Sequence, residues 1–218
     1  MRGCEHVDFL AGSNLECVSV LVEERMRYCV FSGSSTGVRA EYAEAARGLG
    51  QLFVREGIGL VYGGASVGLM GAISDAVIDA GGEAIGVIPR DLVEKELAST
   101  RLRDLRVTSS MHERKAMMAE LSDGFIALPG GIGTFEEMFE IWTWAQLGYH
   151  AKPIGMLNVA GFYDGLAAFL DRVVDEGFLR EKQRGMMLCE SEAEKLLEGM
   201  KNYVAPRADK WIGLKSAT

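Results

Sequence analysis

Short apolar runs alternate with longer stretches of helical periodicity through most of the chain. Five apolar runs, bounded by glycine, proline or polar residues, predict buried strands at 28–32, 58–62, 84–88, 124–128 and 153–157. Apolar residues that recur every three or four positions predict helices at 40–56, 67–80, 111–121, 134–147 and 162–176. We expect a loop with a short helical turn at 91–104, and 105–107 are a further strand candidate.

Strands that are apolar throughout and alternate with helices are typical of a parallel sheet with both faces covered. The predicted fold class is therefore α/β: a Rossmann-like, open parallel sheet with helices on both faces, in a single domain. We place this domain at residues 27–201, between a loosely ordered N-terminal extension at 1–26 and a C-terminal tail at 202–218. The pattern G-x-G-x-x-G does not follow the first strand, which disfavours classical dinucleotide binding.

Composition excludes several classes of protein. With 48 % hydrophobic residues among 218, the chain can bury one full core. The net charge of −8 argues against a nucleic-acid partner, and no apolar run approaches the ~18 residues of a membrane span. The cysteines lack the spacing of a metal site or a disulfide framework, which favours a cytoplasmic location; they are Cys4, Cys17, Cys29 and Cys189.

Three predicted strands run into glycine turns at their carboxyl ends. These turns contain Gly33-Ser34, Gly63-Gly64 and Gly130-Gly131. In open parallel sheets, ligands bind at the carboxyl ends of the strands, near the point where the strand order switches. The third turn also leads into a helix near Gly133-Thr134, and a helix N-terminus offers backbone N–H groups to an anion. These residues are therefore candidates for binding a phosphate group.

A carboxylate follows the third glycine turn. Glu137 shares a helix face with Ile141 and Trp144, so it heads an apolar stripe. Two interpretations remain open on helix chemistry alone. Thr134 and Glu137 fit a capping box, in which the carboxylate folds back to the helix start. Alternatively, Glu137 is a catalytic acid or base beside the phosphate site.

The preceding helix carries a second unusual charge. Arg114 lies on the apolar stripe of Met111 and Met118, and burying its charge costs several kcal/mol unless an anion accompanies it. An internal salt bridge, an extended side chain that reaches solvent and a fork for phosphate or carboxylate are all compatible with this position. The neighbouring Lys115 is either a plain surface lysine or a ligand contact, and Ser110 with Glu113 forms a second capping box.

Two long motifs resemble one known family. The motifs are Ser110–Lys115, SMHERK, and Pro129–Glu137, PGGIGTFEE; shorter likenesses occur at 62–64, 68–71, 144–148, 152–153 and 157–159. Together they resemble the LOG (Lonely Guy) family of cytokinin riboside 5′-monophosphate phosphoribohydrolases, a group often mislabelled as lysine decarboxylases. The resemblance covers roughly residues 27–181.

The resemblance implies an activity and a set of site residues. Arg114 and Glu137 match the catalytic pair of the family, and its nucleotide-contact positions match Lys115, Gly131, Gly133, Thr134, Thr143 and, in a loop that varies in shape, Glu96. The implied reaction is hydrolysis of the N-glycosidic bond of AMP or N6-prenyl-AMP, without a cofactor or metal. A homodimer is also implied, since family members commonly pair through their helices.

A rival function comes from a different class of protein. Related Rossmann-like proteins carry nucleotides or the molybdenum cofactor without catalysis. Such a carrier needs the glycine turns but has no need for the pair formed by Arg114 and Glu137. We therefore rank the hydrolase first and the carrier second.

Overall fold

The computed structural model describes residues 25–93 and 98–206. Seven strands occur there: β1 Arg27–Phe31, β2 Gly59–Tyr62, β3 Ala84–Pro89, β4 Asp104–Thr108, β5 Gly124–Ala127, β6 Ile154–Leu157 and β7 Met187–Glu190. The helices of the described residues are α1 Ala40–Arg55, α2 Gly68–Asp79, α3 Arg90–Val93, α4 Met111–Glu120, α5 Ile132–Gln146, α6 Asp164–Asp175, α7 Glu181–Arg184 and α8 Ala193–Lys201. A 3-10 turn at Val159–Gly161 precedes α6.

The strands form one seven-stranded sheet in the order β4-β3-β2-β1-β5-β6-β7. Every neighbouring pair is parallel, which confirms the predicted fold class. The strand order switches between β1 and β5, so the three strands that end in glycine turns, β2, β1 and β5, are neighbours at the centre. The sheet therefore brings all three turns to one place on its carboxyl edge.

Helices cover both faces of the sheet. Successive residues of β1 alternate between the faces: Tyr28 and Val30 pack on one side, Cys29 and Phe31 on the other. The first side is covered by apolar residues of α1, α2 and α8, among them Leu49, Phe53, Ile73, Val77, Leu196 and Met200. The second side is covered by α4, α5 and α6 through residues such as Met118, Met138, Trp142 and Leu170. The chemistry described below comes from α4 and α5, on this second side.

The predicted elements are confirmed with small shifts at their ends. The turn expected within 91–104 includes α3, and the short candidate at 105–107 is part of the edge strand β4. The elements β7, α7 and α8 were not predicted. Residues 1–24 and 207–218 lie outside the described residues, as does Glu96, so the extension, the tail and the domain boundaries stay predictions. Within the described part of the chain, no helix is long and apolar enough to cross a membrane.

Candidate active site

The glycine turns after β1 and β5 are tied to each other. The backbone N–H of Gly33 donates to the carbonyl of Pro129 over 3.1 Å, and the carbonyl of Gly33 accepts from Leu69 N at the start of α2, 3.0 Å away. Ser34 is exposed beside this junction and its backbone lies against Gly68. The central turns therefore form one connected platform on the carboxyl edge of the sheet.

The N-terminus of α5 opens onto this platform. Helix α5 begins at Ile132, and the first backbone bond of its ladder runs from Phe135 N to Gly131 O, 3.2 Å. The N–H groups of residues 132–134 precede that bond and have no intrahelical acceptor. A Cβ added at Gly131 or Gly133 would meet no atom within 4 Å, so the space before the helix is open. This arrangement suits a bound anion.

The capping-box interpretation of Thr134 and Glu137 is wrong. Gly131, with its extended backbone (φ −98°, ψ −156°), is the N-cap residue, and glycine has no side chain with which to cap the helix. The helix therefore begins two residues before Thr134. Thr134 is buried within the first turn, against Gly130, where an added Cβ would overlap the Thr134 hydroxyl. The carboxylate of Glu137 is turned elsewhere, towards α4.

Arg114 connects three elements through its guanidinium. Its Nε donates to the carbonyl of Val87 in β3 over 3.0 Å, and its Nη1 lies 3.4 Å from Oε1 of Glu137 in an ion pair. The Nη2 atom lies against Gly63, at the end of β2. The ion pair is shielded, since only 11 % and 13 % of the Arg114 and Glu137 side chains remain exposed. Of the open interpretations of Arg114, the structure confirms an internal salt bridge, and that bridge leads to Glu137.

The start of α4 fixes the position of Arg114. The Ser110 hydroxyl accepts from Glu113 N over 3.1 Å, as the predicted capping box requires. The Glu113 carboxylate binds one residue earlier than a standard box, accepting from Ser109 N over 2.7 Å. Arg114 then falls in the first turn of α4, on the side that faces α5.

The surroundings of Glu137 alter its acidity. Burial raises the pKa of the carboxyl, and the Arg114 guanidinium offsets part of that rise. Glu136 raises the pKa further, and Lys115 acts in the opposite direction. A carboxylate with a raised pKa is a stronger base than an ordinary glutamate, which suits proton transfer near neutral pH.

Lys115 is buried, and the interpretation as a plain surface lysine is wrong. Its Nζ donates to Oε1 of Glu136 over 2.6 Å and forms an ion pair with Oε2 of Glu140 at 2.9 Å. Burial alone would lower the pKa of Lys115, but the two carboxylates outweigh it and the pKa is raised. The ammonium group is therefore charged. A contact with nucleotide stays a prediction.

Two other predicted residues, Gly64 and Thr143, form hydrogen bonds with residues outside the Arg114–Glu137 ion pair. Gly64 is buried, and its carbonyl accepts from Ser99 N over 3.0 Å. Thr143 is exposed on α5, its hydroxyl donating to Phe139 O over 2.7 Å, and it lies two turns beyond Glu136, about 10 Å along the helix axis. In the described ranges, no group of three or more His, Cys, Asp or Glu could hold a metal ion. The functions of these positions stay predictions.

Sequence reasoning missed one contributor to the site and gave another only part of its function. The carbonyl of Val87 binds the Arg114 side chain, although Val87 belongs to an unremarkable apolar strand. Gly63 was predicted as a phosphate contact, and the structure gives it a further function, since it leaves room for the guanidinium. A glycine at a strand end on the ligand-binding edge was the available signal, but the sequence did not show which side chain would cover it.

Comparison with known proteins identifies the family. Residues 70–200 match the protein family described as "Possible lysine decarboxylase". The chain is 51 % identical over 183 residues to the probable cytokinin riboside 5′-monophosphate phosphoribohydrolase LOGL5 of Oryza sativa subsp. japonica, covering 84 % of this chain and 74 % of the relative. It is 48 % identical over 186 residues to the cytokinin riboside 5′-monophosphate phosphoribohydrolase LOG2 of Arabidopsis thaliana, covering 85 % and 87 %.

A solved structure shares the fold at lower identity. The molybdenum cofactor binding protein of the phototrophic bacterium Rippkaea orientalis is 25 % identical, with a TM-score of 0.61, covering 81 % of this chain and 96 % of that one. The identity to the phosphoribohydrolases is twice as high, so the hydrolase is favoured over the carrier. The chain belongs to the LOG family, the cytokinin riboside 5′-monophosphate phosphoribohydrolases.

Proposed function

We propose that this protein hydrolyses the N-glycosidic bond of a cytokinin riboside 5′-monophosphate, releasing the free base and ribose 5-phosphate. The relatives that are about half identical are named for this activity. The observation that carries the proposal for this chain is the shielded ion pair of Arg114 and Glu137, 3.4 Å apart, on the helices α4 and α5 beside the glycine platform. A carrier has no need for a base with a raised pKa at this place.

The 5′-phosphate binds at the start of α5 in this proposal. The open N–H groups of residues 132–134 face an anion, and Gly131 and Gly133 let its oxygens approach the backbone. Ser34 is exposed on the adjoining turn and can donate its hydroxyl. The ribose then extends from the phosphate across the platform towards the charged pair.

The reaction breaks the bond between C1′ of ribose and N9 of the base. As this bond breaks, its electron pair moves to the base and positive charge builds on the ribose, as in glycoside hydrolysis. Ionised Glu137 stabilises that charge and takes a proton from the water that attacks C1′. Arg114 holds Glu137 in place and either neutralises the phosphate or assists the departing base. One water molecule is consumed overall: its hydroxide joins C1′, and the proton that Glu137 takes from it balances the proton that the departing base gains at a ring nitrogen.

Several finer assignments remain predictions. The substrate is either AMP or N6-prenyl-AMP, and a prenyl group requires an apolar pocket. We propose a homodimer whose second subunit contributes to that pocket. Its support here is the exposure of three large apolar side chains, Ile132 at the start of α5, Phe169 on α6 and Phe178 just after α6. We also propose a cytoplasmic location, from the cysteine pattern.

A panel of nucleotides tests the proposed function. The purified protein is incubated with AMP, isopentenyl-AMP, GMP and the matching nucleosides, and free base is measured by chromatography. We expect base and ribose 5-phosphate in equal amounts from one or both adenine nucleotides, and none from the nucleosides, which lack the phosphate. The absence of free base from every nucleotide would reject the hydrolase.

A further inference from the structure

Two adjacent residues of α4 pair with consecutive carboxylates of α5. Arg114 faces Glu137, and the next residue, Lys115, faces Glu136 together with Glu140. The Lys115 side chain is only 9 % exposed, so its stem is packed between the helices and its charge has little access to water. Burying an ammonium group is costly unless paired anions compensate, and here two carboxylates do so.

This geometry assigns Lys115 a function that the family resemblance did not. We propose that Lys115 is a positioning residue, which fastens α5 to α4 so that Glu137 meets Arg114 and which compensates the charges of Glu136 and Glu140. The inference rests on the proposed hydrolase. It differs from a nucleotide contact, because Nζ of Lys115 already lies 2.6 Å and 2.9 Å from carboxylate oxygens of the same chain.

The charges around Glu137 explain why a positioning residue such as Lys115 is needed. Glu136 and Glu140 on α5 raise the pKa of Glu137, whereas Arg114 and Lys115 on α4 lower it. From the sheet, the Cys29 thiol of β1 faces the same region, but burial raises its pKa well above the usual value and keeps it neutral. Removing Lys115 would leave three neighbouring carboxylates with one cation, and Glu137 would bind a proton at higher pH.

The test follows kcat, KM and the acid limb of the pH profile of kcat for AMP hydrolysis. We expect Lys115→Met to lower kcat about tenfold, leave KM nearly unchanged and move the acid limb upward by about half a pH unit. Glu136→Gln/Glu140→Gln should move the limb downward, and the triple variant should return it towards the wild type. Lys115→Arg keeps the charge and should retain most of kcat.

Other outcomes would overturn the inference. An increase of KM at unchanged kcat and unchanged acid limb would make Lys115 a substrate contact. If Lys115→Met fails to fold, the Glu136→Gln/Glu140→Gln variant decides, since an unmoved limb contradicts the proposal. Carbon-13 NMR titration of the glutamate carboxyls, with Glu137→Gln for assignment, follows the same shifts without turnover. The nucleotide assay of the wild-type protein tests the proposed hydrolase. The variants and the NMR titration test the function of Lys115 separately.

Discussion

The guanidinium of Arg114 occupies the space beside Gly63, so that even a methyl group on Gly63 would overlap its Nη2 atom. Gly63 is the first residue after β2, and its backbone does not have a positive φ. The need for glycine here is therefore one of space and not of backbone conformation. The end of β2 at Gly63 and the Arg114 side chain of α4 are therefore complementary in shape.

Substituting Gly63 with alanine should displace Arg114 and lower catalysis. We expect kcat/KM to fall by about tenfold or more, because the guanidinium must leave its place beside Glu137. Thermal stability should fall as well, since the displaced guanidinium leaves the shielded Glu137 carboxylate without its partner. Gly48→Ala is the matched control: a Cβ at this exposed position of α1 meets nothing within 4 Å. It should keep full activity, and equal losses in both variants would contradict the prediction.

Gly68 should be essential for stability. It has a φ of +60°, and an added Cβ would overlap the backbone of Ser34 in the platform. We expect Gly68→Ala to lower the free energy of unfolding by about 3 kcal/mol or more, since the strain of a positive φ and the overlap combine. Gly57→Ala has a similar φ of +68° but open space around it, and it should cost only about 1–2 kcal/mol. Urea denaturation measures both, and equal losses would exclude the overlap.

A buried tyrosine supports the turn that precedes α5. The hydroxyl of Tyr163 donates to the carbonyl of Leu128 over 2.7 Å, just before Pro129. Tyr163→Phe leaves that buried carbonyl without its partner and should cost about 1–2 kcal/mol of stability. Tyr149→Phe is the control, because Tyr149 is exposed, and it should be neutral. Denaturant unfolding measures both variants. Equal free energies of unfolding for the two would show that the hydrogen bond of Tyr163 contributes nothing to stability.

The activity should fall in acid at a higher pH than an ordinary glutamate would require. Burial raises the pKa of Glu137, and only the ionised form accepts a proton from water. As the pH decreases through this raised pKa, kcat should fall tenfold per pH unit. The assay uses saturating substrate, so that kcat reports groups in the enzyme–substrate complex. The phosphate group of free substrate, whose second pKa is about 6, then does not contribute to the profile. A limb at or below the ordinary value of glutamate would contradict the proposed function of Glu137.

Most of the fold could be predicted because the central strands are buried on both faces. Such strands give continuous apolar runs, and glycines mark their ends. The edge strand β7 was missed, since Met187–Glu190 is short, partly exposed and ends in a charge. Helix α5 was predicted two residues too late, because Thr134 is a good N-cap residue by type while Gly131 fills that position.

The charged pair could be located but its geometry could not. Arg114 and Glu137 were identified as charges on apolar stripes, which is a property of each helix alone. The burial of Lys115 between Glu136 and Glu140 depends on how α4 docks on α5. No spacing within either helix reports that docking, so the sequence left surface and ligand roles open for Lys115.

The most direct test of the catalytic pair is Glu137→Gln, assayed for free base from isopentenyl-AMP. This change keeps the shape of the side chain and removes the charge that faces Arg114. We predict a loss of base release of about a hundredfold or more, with a melting temperature below that of the wild type because buried Arg114 loses its anion. Glu120→Gln, at the exposed end of α4, should leave base release and melting temperature unchanged. Base release from Glu137→Gln at the wild-type rate would contradict a catalytic Glu137.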